Sequence, residues 1–218
     1  IVDTNTPIEK KIQLDDFDRL GLYIEGNVTI RQGKEASITL KGDSALVDSL
    51  YTGVENKKLI IELRSPYCTP TIPLEIIVTT PQITEFTLAE KSHTVVTDFK
   101  NQQKLKIQIN SNSRVELNEL EGLNELDISL QEGAHIISHK KIKEVALLKV
   151  NIKGNGSLNG YSIIAQDVEI TIEGRGSCEV TALSRLEVDI VGNANVYCMG
   201  MPKIHKRVTG KGDVHFTN

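Results

Sequence analysis

With 218 residues, 39% of them hydrophobic, the chain is long enough to bury one sizeable core and is not disordered by composition. A formal net charge of −4 argues against a general nucleic-acid binder, and no apolar run nears the ~20 residues a membrane-spanning helix needs. Aromatics are only 4% and Trp is absent, so the core must come from Val, Ile and Leu, a bias toward β structure.

The chain opens Ile1-Val2-Asp3, with neither an initiator Met nor a signal peptide, which says nothing about export. Cys68, Cys178 and Cys198 are odd in number and lack CxxC or CxxH spacing, so no dense disulfide framework is expected and either redox compartment fits. Residues 8–80 read as strand-rich but irregular. The acidic run Asp15-Asp16-Phe17-Asp18 reads as a polar turn beside a buried Phe17 in preference to a cation site. Two alternating runs flank Gly33-Lys34 within 27–43, a hairpin-like or corner-like signal. A short helix or irregular turn follows at Ala45–Leu50, then strands at Leu59–Leu63 and 74–81. Between those strands, "SPYCTPTIP" (65–73) carries three prolines and cannot be a central strand, so a protruding loop or seam is expected. With no flexible linker in view, 1–218 reads as one continuous domain.

From about residue 100 a repeat takes over. Ile109, Leu130, Ile152, Ile172, Ile190 and Val208 are equivalent, spaced by 21, 22, 20, 18 and 18 residues, with Leu88 as a degenerate earlier member. Two residues before each anchor stand Ile107, Ile128, Val150, Ile170 and Val188. Six after stand Val115, Ile136, Leu158, Cys178, Val196 and Val214. The intervening positions are polar, so one side of each strand is buried and the other wet. Such a strand cannot bury its apolar side alone, but stacked copies cover one another. Residues 100–218 therefore predict an all-β fold, a parallel β-solenoid with rungs of about 18–22 residues. Lys206 breaks the apolar pattern in the last copy, as a polar end that blunts an open edge.

After each anchor comes a corner: Gly154-Asn155-Gly156, Gly174-Arg175-Gly176, Gly192-Asn193-Ala194 and Gly210-Lys211-Gly212. Ser111-Asn112-Ser113 and Glu132-Gly133-Ala134 are degenerate copies. A phosphate-binding loop needs one such turn opening a helix, with a lysine partner. Here the turn recurs and leads into another strand each time. Gly154, Gly156, Gly174, Gly176, Gly192, Gly210 and Gly212 are therefore expected to be structural corners and not ligand-binding groups.

Two stretches resemble a known family. "FDRLGLYIEGNVTIRQGKEASITLKGDSALVDSLYTGVENKKLIIEL" (17–63) is similar to the opening of the bacterial domains called putative auto-transporter adhesin, head-GIN-like. "LEVDIVGNANVYCMGMPKIHKRVTGKGDV" (186–214) is similar to their closing repeat. Only Gly210-Lys211-Gly212-Asp213 stays close to the family's G-S-G-D corner. The resemblance implies an exported, β-helix-like protein at the periplasm, outer-membrane surface or cell exterior, with no established activity and no catalytic residues.

Tests for chemistry give little. His135 and His139 have an i, i+4 spacing that suits a metal on a helix, but on a strand it does not converge them. The outward column Asp127, Lys149, Glu169, Glu187 reads as a solvated charge ladder. Glu169 and Glu187 are also the pair a carbohydrate-active β-helix enzyme, a polysaccharide lyase or hydrolase, would use. "GKGDV" (210–214) resembles one fragment of a calcium repeat without its tandem copies. The basic run Lys203, His205, Lys206, Arg207 and Lys211 reads as a charged edge, with an anionic glycan or lipid as the less favoured partner. The expectation is a noncatalytic exported binding, adhesion or structural module with no cofactor and no metal. Its expected partners are a surface glycan or a protein, not nucleic acid, and a homo-oligomer is compatible with it. The carbohydrate-active enzyme is the alternative.

Overall fold

The alternation seen in sequence is built as stacked parallel coils of about 21 residues, a β-solenoid. A computed structural model of the chain describes residues 6–64 and 72–217. Most of the proline-rich stretch 65–73, together with Cys68, lies outside the described residues.

The N-terminal part contains β1 (Pro7–Gln13), β2 (Arg19–Tyr23), β3 (Gly26–Gln32), β4 (Ser37–Asp43), helix α1 (Ser44–Ser49), β5 (Leu50–Glu55), β6 (Lys58–Leu63) and β7 (Glu75–Thr80). The coils continue through β8 (Glu85–Leu88), β9 (Ser92–Thr97), β10 (Lys104–Ile109), β11 (Arg114–Leu117), β12 (Glu125–Leu130) and β13 (His135–Ser138). They end with β14 (Ile142–Gly154), β15 (Ser157–Gly174), β16 (Ser177–Gly192), β17 (Asn195–Met199), β18 (Lys203–Gly210) and β19 (Asp213–Thr217).

Two long faces enclose the core. The first runs β5-β6-β2-β8-β10-β12-β14 and then through the C-terminal halves of β15 and β16 to β18. The second runs β1-β4-β7-β3-β9-β11-β13, through the N-terminal halves of β15 and β16, to β17 and β19. The anchor column is continuous. Ile61, Leu22, Leu88, Ile109, Leu130, Ile152, Ile172, Ile190 and Val208 lie in register on successive strands. All but Val208 are fully buried. Leu88 thus belongs to the ladder, and Leu22 and Ile61 extend it into the part that looked irregular.

That irregularity is topological. The coil β6–β7 does not follow β2–β3 in space but stacks on its far side, and β8–β9 then takes the near side. The strands flanking Gly33-Lys34, β3 and β4, do not pair with each other. β7 lies between them, parallel to β3 and antiparallel to β4. Alternation in sequence marks which side of a strand is buried, not which strand lies beside it. Antiparallel β1, β4 and β5, with α1, cover the N-terminal end of the stack. Asp43 caps α1 by accepting from the Ala45 amide at 3.0 Å, and Leu46 and Val47 turn inward.

At the opposite end β18 and β19 form the last coil. Lys206 stands in register with the buried Val188, and its Nζ donates to Asp213 Oδ1 at 2.8 Å across the mouth of the core. An inward charge tied to its neighbour makes this edge a poor template for another apolar coil.

Gly154, Gly174, Gly192 and Gly210 are paired in register at successive corners, all at positive φ. In the corner 132–134 the positive φ falls on Glu132, at 55°, and not on Gly133. The serine corner uses hydroxyls instead. Ser113 Oγ accepts the Ser92 amide at 2.9 Å, and Ser111 Oγ donates to the Glu90 carbonyl at 2.9 Å. Side-chain hydrogen bonds to the preceding corner thus supplement the turn where glycine is missing.

Candidate functional site

The outer surface of the first face carries a charge ladder. Glu85, Lys106, Asp127, Lys149, Glu169 and Glu187 lie in register on consecutive strands. Signs alternate until Glu169 meets Glu187, where two carboxylates are neighbours. Arg185 resolves that clash. Its guanidinium lies 2.6 Å from Glu187 Oε1, 3.3 Å from Glu169 Oε1 and 3.5 Å from Asp167 Oδ2. One strand farther on, Arg207 bonds Asp189 and holds its carboxyl below the usual range. Each such exposed pair contributes roughly 0–1 kcal/mol. A depression of about 310 Å³ lies over Glu169, Glu187 and Asp189. Glycosidase carboxylates flank the scissile bond from opposite sides of a cleft. Glu169 and Glu187 sit side by side on one sheet, both engaged by the same guanidinium, so the carbohydrate-active alternative has no support in this geometry.

The second face brings together residues that sequence reasoning left apart. Glu116 accepts from His93 Nε2 at 2.9 Å, from His139 Nε2 at 3.0 Å and from Arg114 Nε at 3.1 Å. Its carboxyl is held below the usual range, chiefly by the His93 hydrogen bond and, against partial desolvation, also by Arg114 and His139. His139 thus converges with His93, not with His135. His135 instead meets Ser157 Oγ through Nδ1 at 2.6 Å, and burial followed by the nearby Arg114 charge lowers its pKa. Among the described residues, no group of three or more His, Cys, Asp or Glu side chains is arranged to hold a metal ion. The signal for the Glu116 cluster was present: both histidines lie 23 residues from Glu116, one coil plus two positions.

Because Glu116 titrates below its unfolded value, its contribution is present above the ordinary Glu range, near pH ~4.3, and is lost as pH falls through the folded value. Glu116→Gln should therefore melt below the parent by roughly 2–4 °C at pH 7, equivalent to about 1 kcal/mol. Thermal unfolding followed by circular dichroism should show that gap closing near pH 3. An equal gap at both pH values would mean that the carboxylate charge contributes nothing.

Other sequence candidates have local explanations. Phe17 is buried while Asp18 pairs with Arg19 at 3.7 Å. Asp213 of "GKGDV" is engaged by Lys206 and by the Val214 amide. Cys178 and Cys198 are buried free thiols, and desolvation pushes both pKa values up.

A cleft of about 720 Å³ lies on the corner side, near the covered end. Sequence reasoning gave no hint of it, because its walls come from six separate segments: the β2–β3 corner, α1, the end of β6, the residues just before β7, and the corners before β9 and β11.

No curated protein matches the sequence. Solved structures share the fold. A crystal structure of a putative adhesin from Bacteroides fragilis NCTC 9343 is 14% identical with a TM-score of 0.89, the match covering 98% of each chain. A putative adhesin from Parabacteroides merdae ATCC 43184 is 18% identical, TM-score 0.79, over 98% of this chain and 97% of that one. A putative lipid binding protein from Parabacteroides distasonis ATCC 8503 is 21% identical, TM-score 0.78, over 100% and 99%. The sequence model of one family matches residues 16–202, which takes in both resembling stretches except the end of the second. The chain belongs to the family described as putative auto-transporter adhesin, head GIN domain.

Proposed function

We infer that the chain is a single noncatalytic exported domain that binds a surface glycan or a protein through its rigid outer faces. The observation that carries this reading is the Arg185 clamp on Asp167, Glu169 and Glu187, which makes the carboxylate pair that the enzyme alternative would use a structural ion-pair network. Family membership and the adhesin names of two structural neighbours support an adhesive role and an exported location. A stack of paired strands offers a flat surface whose side chains are fixed before a partner arrives, so little ordering is lost on binding.

The test is an array of immobilised bacterial and host polysaccharides and matrix proteins, probed with the labelled chain. Saturable retention on one class of partner, without cleavage of it, is expected. Reproducible release of reducing ends from any polysaccharide would overturn the noncatalytic reading.

A further inference from the structure

We propose that the 720 Å³ cleft is a binding site for a single-chain anionic amphiphile, with its hydrocarbon chain over Leu63 and Leu74 and its carboxylate or phosphate head between Lys91 and Arg114. The cleft is graded along the solenoid axis. At the covered end its lining is aliphatic: Leu46 of α1, Leu63 at the end of β6, and Leu74 just before β7. Leu63 is 40% exposed, an aliphatic side chain presented to the cleft and not to the core. Ile24, in the β2–β3 corner, continues this surface.

Toward the next coils the lining turns basic. Lys91 precedes β9, and Arg114 opens β11 in register with His93. Both cations are exposed, on adjacent rungs. Arg114 is oriented by Glu116, which takes its Nε, so the two terminal guanidinium nitrogens remain as donors for a head group. Glu25 on the rim and Glu116 beside Arg114 balance the two cations, so the head group is held by directed donors, the Lys91 ammonium and the free guanidinium nitrogens of Arg114, and not by net charge. Three strand steps separate the β7 end from β11, about 14 Å at roughly 4.8 Å each, a span matched to an extended medium-length acyl chain. Among the described residues no Phe, Tyr or Trp lines the cleft, and its one aromatic ring, the His93 imidazole, is bonded to Glu116, so it lacks the broad platform on which a sugar ring stacks. Aliphatic walls with a few placed polar groups are the ordinary make-up of a small-molecule site.

The inference is independent of the adhesive reading, which concerns the flat faces. Laurate and dodecyl phosphate, each below its micellar concentration, are titrated into the full chain by isothermal calorimetry. Dodecyl maltoside, acetate and inorganic phosphate serve as controls. Saturable one-to-one binding of laurate or dodecyl phosphate is expected, at least tenfold tighter than dodecyl maltoside, with no binding of acetate or phosphate. Lys91→Glu should weaken the anionic amphiphiles at least tenfold and leave dodecyl maltoside unchanged, whereas Leu63→Glu should weaken all three. Both positions are exposed, so an unchanged melting temperature checks that each variant is folded. Absence of saturable binding by both anionic amphiphiles, equal binding of dodecyl maltoside, or affinities indifferent to both substitutions would overturn the proposal. None of these outcomes bears on retention by the polysaccharide and protein array.

Discussion

Ile170→Asp is expected to abolish cooperative folding of the coils around it. Ile170 is 3% exposed and lies in register between Val150 and Val188, both equally buried. An Asp there has no cation on either neighbouring strand, since the column's Lys206 stands two strands away and is paired with Asp213, and it must be desolvated or protonated. A cost of roughly 4 kcal/mol or more follows from the lost aliphatic burial together with the stranded carboxyl. At about 2–4 °C per kcal/mol for a chain of this size, the melting temperature falls by about 8 °C or more. Thr171→Asp, one residue along and facing water, supplies the control, with an expected cost below about 1 kcal/mol. Position along the stack matters as well. Ile190→Asp strikes the next coil, which only the last coil follows, so its damage can fray outward to one end. Hydrogen exchange should show loss of protection confined to β16–β19 in Ile190→Asp and extending over β14–β19 in Ile170→Asp, because solenoid stability is a sum over neighbouring coils. Parent-like melting of Ile170→Asp would contradict its inward placement.

The contrast between these positions and the cleft explains what could be read from the sequence. From β10 onward, each anchor meets its equivalent one coil away, so a column of Ile, Leu and Val in sequence is also a column in space. The same logic exposes Glu169 beside Glu187. Arg185 was harder to place, since its three carboxylates lie two, sixteen and eighteen residues away and the middle one is a diagonal neighbour. In the N-terminal part the periodicity of single strands survives, but the order of coils does not follow the chain. The neighbours of Leu22 are Ile61 and Leu88, at unequal distances in sequence and on opposite sides. Hydrophobic alternation carries no information about that choice, which the antiparallel cap and the return of the chain across β2–β3 decide. The cleft is the consequence: where coils stack out of order, corners of unequal length meet, and Leu63, Ile24 and Arg114 come together without any spacing that announces it.

Gly174→Val should destabilise the fold by roughly 2–4 kcal/mol, and the reason is doubled at this site. Gly174 has φ of 127°, outside what a β-branched residue adopts without strain. A Cβ placed on it would also lie 2.5 Å from the carbonyl oxygen of Gly154 in the coil below. That oxygen is fixed, because it accepts the Arg175 amide at 2.8 Å, while Gly174's own carbonyl accepts Asn193 at 2.8 Å in the coil above. Relieving the clash therefore means separating two coils at the corner and lengthening hydrogen bonds on both sides. Gly133→Ala is the comparison: its φ is not in the positive region, and the added Cβ would meet only the Asn112 side chain, at 3.0 Å, which can rotate away. A cost within about 1 kcal/mol is expected there, offset in part by the reduced freedom of the unfolded chain. If the corners are structural, as we propose, Gly174→Val lowers the amount of folded protein but not the affinity of each folded molecule for laurate or for an array partner. The decisive measurement is binding per folded molecule, with the folded fraction taken from circular dichroism. A melting temperature near that of the parent, combined with lost binding, would instead make the 174–176 corner a ligand contact.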